Sequence, residues 1–225
     1  MRTIVAIAVI VLVSAGTALA QPASRFEIGP VVRVDKVFLE GGAGGMTVVV
    51  GAAARVDISS SYGVEAELTR ASSGFERSYQ GWFTSFAPYG ATREEIERLA
   101  PTARRTLGYT PGTGWSAAFV ARGEASRRVM VAVRAGASGR RYRQTSTYTL
   151  LTVPDGIDPA DAARTLVDSS ASRTRGGLLL GSDVTVALTD HLSLAPEVRF
   201  VYGGPARVGD RYRELGFGAR AVWRF

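Results

Sequence analysis

The chain has 225 residues, 46% of them apolar, with 26 glycines and no cysteine, which suffices for one well-buried domain held without disulfides. One histidine and no cysteine exclude zinc sites of the usual ligand spacing, and neither a Gly-x-Ser-x-Gly elbow nor a P-loop is present. The net charge of +7 asks for an anionic partner; without a compact Lys/Arg cluster interleaved with aromatics, a lipid surface fits better than nucleic acid.

The first twenty residues read as a secretory signal peptide. Arg2 gives a positive start, Ile4 to Val13 is an unbroken apolar run, and Thr17-Ala18-Leu19-Ala20 ends in small residues suited to cleavage before Gln21. The apolar run is about half of the ~20 residues that a membrane-spanning helix needs. Residues 21–225 are therefore expected to form the mature domain.

Eight segments of that domain alternate with period two, as strands with one apolar face do. Near 25–35, Phe26, Ile28, Val32 and Val34 oppose Glu27 and Arg33, with Asp35 at the expected strand end. Near 46–58, Val48, Val50, Ala52, Ala54 and Val56 oppose Arg55 and Asp57. Near 62–71, Tyr62, Val64, Ala66 and Leu68 oppose Glu65 and Glu67. Near 114–124, Trp115, Ala117 and Phe119 oppose Arg122 and Glu124. Near 128–141, Val129, Val131 and Val133 oppose Arg134 and Arg140. Near 176–189, Leu178, Leu180 and Val184 oppose Asp183. Near 192–203, Leu194, Val198 and Phe200 oppose Glu197 and Arg199. Near 211–225, Leu215, Phe217 and Trp223 oppose Glu214, Arg220 and Arg224. Pro30 and Pro196 each remove a ladder hydrogen bond and are read as possible bulge positions.

Short connections (58–62, 125–127, 189–191) alternate strictly with longer ones (36–45, 72–113, 142–175, 204–210). This predicts an all-β fold: an eight-stranded antiparallel up-and-down transmembrane β-barrel with a polar interior, short periplasmic turns and long extracellular loops. Two loops carry helix signals. Thr92-Arg93-Glu94-Glu95 fits a capping box, and Asp158-Pro159 opens a second helix ending near Val167.

The charged faces decide which side is in. Their acids are Glu27, Asp57, Glu65, Glu67, Glu124, Asp183, Glu197 and Glu214. Their bases are Arg33, Arg55, Arg122, Arg134, Arg140, Arg199, Arg220 and Arg224. Such a balance suits an interior charge network, where an unpaired charge costs several kcal/mol; a solvated face has no need of it. Aromatic residues fall at the strand ends, as at membrane interfaces: Phe26, Tyr62, Trp223 and Phe225 at one rim, Trp115 and Tyr202 at the other.

The ending Ala221-Val222-Trp223-Arg224-Phe225 resembles the terminal strand of bacterial outer-membrane proteins, and residues 21–225 resemble the small OmpA/OmpX-like outer-membrane β-barrel group. The resemblance implies a bacterial outer-membrane location and reading of Trp223 and Phe225 by the barrel-assembly machinery. It also implies a monomer in outer-membrane lipid. It rests on architecture and the terminal signature, and fixes no function. Arg70 and Arg213, outward in parity at headgroup height, are candidates for lipopolysaccharide phosphates. No catalytic residue, cofactor or metal ligand is expected: His191 lies in a predicted periplasmic turn, away from the outward loops. The leading expectation is a structural or surface-interaction barrel. The alternative is a narrow pore, with Gly51, Ala53, Ala118, Gly136, Gly181, Ala187, Gly216 and Gly218 leaving wet gaps inside. An outer-leaflet enzyme ranks last.

Overall fold

The computed structural model describes residues 26–39, 44–82, 89–203 and 212–225. The expected signal peptide, the cleavage point before Gln21 and connection 204–210 lie outside the described residues. The described residues form nine strands and two short helices. In chain order these are β1 (Phe26–Leu39), β2 (Gly44–Asp57), β3 (Tyr62–Ala71), β4 (Phe75–Trp82), α1 (Arg93–Leu99), β5 (Thr102–Ser126), β6 (Val129–Thr152), α2 (Pro159–Thr165), β7 (Ser169–Ala187), β8 (Leu192–Gly203) and β9 (Tyr212–Arg224).

All neighbouring strands are antiparallel. β3 pairs directly with β5, from Tyr62↔Ala121 to Arg70↔Thr113, so β4 stands outside the ring. The other eight strands close when β1 meets β9, from Glu27↔Arg224 to Leu39↔Tyr212. Closure leaves the ring no free edge and gives its backbone groups partners without water. Alternation in the sequence becomes alternation in space. On β8, Ser193, Ala195, Glu197, Arg199 and Val201 are buried, while Leu194, Pro196, Val198, Phe200 and Tyr202 face out.

Two short turns share one construction. In the β2–β3 turn, Ile58 and Ser59 donate their N–H groups to the Tyr62 carbonyl at 2.8 and 3.0 Å, and the Ser59 hydroxyl accepts from Tyr62 N at 3.1 Å. In the β7–β8 turn, Leu188 and Thr189 donate to the Leu192 carbonyl at 2.9 and 3.0 Å, and the Thr189 hydroxyl accepts from Leu192 N at 3.0 Å. A side-chain oxygen that satisfies a turn amide is the usual role of Ser and Thr there.

The segments 72–113 and 142–175, expected as loops, are largely strand. β5, β6 and β7 run past the ring, and β4 adds to β5 from Phe75↔Tyr109 to Trp82↔Thr102. The result is a four-stranded platform, β4–β5–β6–β7. A bulge between Pro111 and Gly114 on β5 marks the passage from ring to platform. The helices above the platform start where the capping signals placed them. The Thr92 hydroxyl accepts from Glu95 N at 3.3 Å, and the Glu95 carboxylate accepts from Thr92 N at 2.8 Å. Asp158 caps α2 by accepting from Ala160 N at 2.8 Å.

Pro30 and Pro196 mark no bulge. Pairing of β1 with β9 lapses between Ile28↔Trp223 and Val31↔Arg220, and that of β7 with β8 between Asp183↔Glu197 and Val186↔Leu194. The register is the same on both sides of each lapse. The missing proline N–H opens the ladder locally without inserting a residue.

Candidate functional site

Inward side chains fill the ring with ion pairs arranged in tiers. At the end bearing the short turns, Arg122 pairs with Asp57 and lies 3.5 Å from Glu27, while Arg224 donates to Glu27 at 3.1 Å. In the middle, Arg55, Arg134 and Arg220 converge on Glu65, at 2.8, 3.0 and 2.6 Å, and all three also contact Asp183. Glu197 joins this tier to the next, accepting from Arg134 and Arg33 at 3.0 Å each and lying 3.0 Å from Arg220 Nε. In the upper tier Arg33 reaches Asp35 at 2.6 Å and Glu67 at 3.1 Å, Arg199 reaches Glu67 at 2.9 Å, and Arg140 reaches Asp35 at 2.8 Å.

Three of these contacts join strands four apart either way round the eight-strand ring: Arg55 to Asp183, Arg140 to Asp35 and Arg199 to Glu67. They run across the lumen from wall to wall. Above them the mouth is closed by an apolar and aromatic cap. The Tyr142 and Tyr212 hydroxyls lie 3.0 Å apart, Tyr212 donates to Glu214, and Phe75 of β4 stacks on Tyr109 with ring centres 5.4 Å apart. Val37 and Leu107 pack into the same cluster.

Fifteen of the sixteen side chains expected in the interior network line the lumen. These are Glu27, Arg33, Arg55, Asp57, Glu65, Glu67, Arg122, Arg134, Arg140, Asp183, Glu197, Arg199, Glu214, Arg220 and Arg224. Glu124 does not: it is exposed, because β5 has left the ring by the time it approaches its hairpin with β6. Asp35, set aside as a strand-end residue, is fully buried, because β1 continues to Leu39. One exchange restores the balance, with eight lumenal acids facing eight lumenal arginines among the described residues.

The interior glycines do not leave a channel. A Cβ on Gly216 would run into the Asp35 carboxylate and come within 2.7 Å of Arg33 Cδ; on Gly218 it would lie 2.8 Å from the Arg33 backbone; on Gly181 it would lie 3.0 Å from Arg134 Cγ. These glycines make room for arginine stems. The side chains of Arg33, Asp35, Asp183 and Glu197 are 0% exposed, so a water-sized sphere does not reach them from either end. A cavity of about 10 Å³ beside Glu27, Arg55 and Arg220 has room for roughly one water.

The outer face is apolar in its middle. On β8 it runs from Leu192 to Tyr202; eleven residues at ~3.3 Å, tilted by roughly 40°, cover about 28 Å, close to the ~25 Å apolar band of a membrane barrel. Trp223 and Phe225 project outward at the turn end, with Phe225 N donating to the Phe26 carbonyl at 3.0 Å and the two rings 6.1 Å apart. At the platform end Arg70 and Arg213 are exposed, and the Arg213 guanidinium lies 5.6 Å from the Tyr202 ring centre. His191 is exposed in the β7–β8 turn, its Nδ1 3.3 Å from the Arg224 carbonyl.

The platform presents arginine, tyrosine and hydroxyl side chains. Arg105 lies between the rings of Tyr79 and Tyr148, 5.8 and 5.4 Å from their centres, and donates to Ser146 at 2.9 Å. Arg143 donates to Ser170 at 3.1 Å. On α1, hydrogen bonds from the Thr92 backbone and hydroxyl hold the Glu95 carboxyl below the usual range.

No family model matches the chain, and no curated protein does. Solved structures do. Ail, the attachment invasion locus protein of Yersinia pestis, is 13% identical, with a TM-score of 0.49 over 90% of this chain and 99% of that one. Neisserial surface protein A is 15% identical, with a TM-score of 0.48 over 89% and 97%. The outer membrane protease OmpT of Escherichia coli is 10% identical, with a TM-score of 0.46 over 91% and 98%. Likeness at this level is one of fold; what the barrel does has to be read from its own side chains.

Proposed function

We propose that the chain is a non-conducting outer-membrane β-barrel that anchors and displays the β4–β7 platform at the cell surface, with a structural or surface-interaction role. The sealed charge network carries this reading. A pore needs a continuous water path, yet four lumenal charges are wholly buried and three ion pairs bridge opposite walls. The apolar outer belt and charged interior are the inversion that a lipid solvent demands. The signal-peptide reading of residues 1–20 and the terminal Phe225 point to export and to the outer membrane.

His191 sits at the turn end, hydrogen-bonded to backbone and distant in the fold from the platform, and no acid–base partner beside it emerges among the described residues. The platform is the part free to meet a partner, since β4 offers an exposed edge and the ring has none.

Conductance of the pure refolded protein in planar bilayers tests the proposal. Insertion without discrete current steps is expected. Reproducible steps that vanish on removal of the protein would return the barrel to the pore class.

A further inference from the structure

Charge on the extracellular side is sorted by height. The platform strands beyond the ring carry seven arginines and one acid, Glu76. The described connections above them, 89–101 and 153–168, carry three arginines and seven acids. Positive charge therefore predominates along the platform strands, from the ring upward, and negative charge in the connections that join them.

Five exposed basic side chains of the outward face lie where the ring passes into the platform; Arg104 stands farther up β5. Arg70 on β3 pairs in register with Thr113, and Thr113 belongs to the bulge that faces Arg141 on β6. Arg143 is the next outward residue on β6, and all three arginines are exposed. Lys36 and Arg213 occupy the rim on β1 and β9, also exposed. The opposite rim has no such excess: in its described turns Arg127 and Arg128 are offset by Glu124 and Asp190.

We infer that Arg70, Arg141 and Arg143 form a docking surface for the phosphates of an anionic outer-leaflet glycolipid, lipopolysaccharide; this rests on the membrane orientation proposed above. The three residues continue the lipid-facing side of β3 and β6 just past the last apolar residues, Leu68 and the Trp115 ring packed over Gly139. That is the height of lipid phosphates, and guanidinium groups bind phosphate oxygens through paired, charge-assisted hydrogen bonds. The vertical sorting of charge selects this occupant over a soluble polyanion. A polyanion arriving from solution meets the acidic connections first, whereas a phosphate layer in the membrane meets only the arginines.

The test is thermal unfolding and lipid titration of the full mature chain in phosphatidylcholine vesicles, with bisphosphorylated lipid A or the same lipid A dephosphorylated. Insertion is checked first by heat-modifiable migration on gels; failure to insert into phosphatidylcholine sinks the barrel reading itself. For the inserted protein, bisphosphorylated lipid A is expected to raise the unfolding midpoint and the dephosphorylated form to leave it unchanged. The triple variant Arg70→Gln, Arg141→Gln, Arg143→Gln, exposed at all three sites and checked for the same migration, is expected to weaken binding on the order of tenfold or more. Glu94→Gln with Glu97→Gln on α1 is expected to leave binding as it was. Equal stabilisation by both lipids, or equal binding by wild type and the triple variant, overturns the assignment.

Discussion

Arg55 on β2 and Asp183 on β7 meet at 3.4 Å although three strands lie between them in either direction round the ring. A contact between opposite walls requires a lumen narrow enough for two side chains to span it and dry enough to hold them together. The interior is therefore a core built of charges, and its mutants should behave as core mutants do.

Removing one member strands the others. Arg199→Met leaves Glu67 and Glu214 short of a partner and is expected to cost about 3–5 kcal/mol in equilibrium unfolding. Adding Glu67→Gln removes one stranded charge and should recover part of the loss. Strict additivity of the two substitutions in a double-mutant cycle would show that the pair does not couple.

Glycine positions should split into two classes. Gly216→Ala drives a methyl into Asp35 and Arg33, and overpacking of this kind typically costs about 1–3 kcal/mol. Gly123→Ala meets nothing within 4 Å and should be close to neutral. Urea midpoints in the same detergent compare them directly; a tolerated Gly216→Ala would mean that the arginine stems have room to spare.

The terminal phenylalanine should matter in cells more than in vitro. Phe225 is 72% exposed, with its ring beside Phe26 at the rim, so its deletion removes little packing. If the assembly machinery reads it, surface display falls sharply while refolding into micelles is little changed. Parallel losses in both settings would assign Phe225 a packing role alone.

Export should leave a chain that begins at Gln21. Intact mass of protein extracted from outer-membrane fractions checks this, and an unprocessed mass would overturn the signal-peptide reading of residues 1–20.

Most of the ring was legible in the sequence because one face of each strand is the apolar exterior and the other lines the charged lumen. That difference writes itself as period two, and it placed Glu65, Glu67, Arg134 and Arg199 inside. Legibility failed where the two environments cease to differ. β4 and the upper parts of β5, β6 and β7 carry Ser, Thr and Arg on both faces, with Tyr109, Tyr142 and Ser146 buried among them, so apolar residues do not alternate and the segments pass for loops. Parity alone also says nothing of height. Glu124 has inward parity but lies past the end of the lumen, and Asp35 lies inside it because β1 is longer than its apolar run suggested. The bridging of opposite walls had no sequence signal, since it depends on which strands face each other across the closed ring.

The burial of the charge network also sets how the protein answers to ionic strength. Screening ions act over about 8 Å in physiological solution, but only where solvent carries them. The acids and arginines enclosed between the aromatic cap and the turn end, the partly exposed Arg224 apart, are out of their reach, while Arg70, Arg141 and Arg143 are bathed by them. Adding sodium chloride should then loosen whatever rests on the rim and leave the walls of the barrel pinned. One molecule thus contains two electrostatic systems, one deaf to salt and one governed by it.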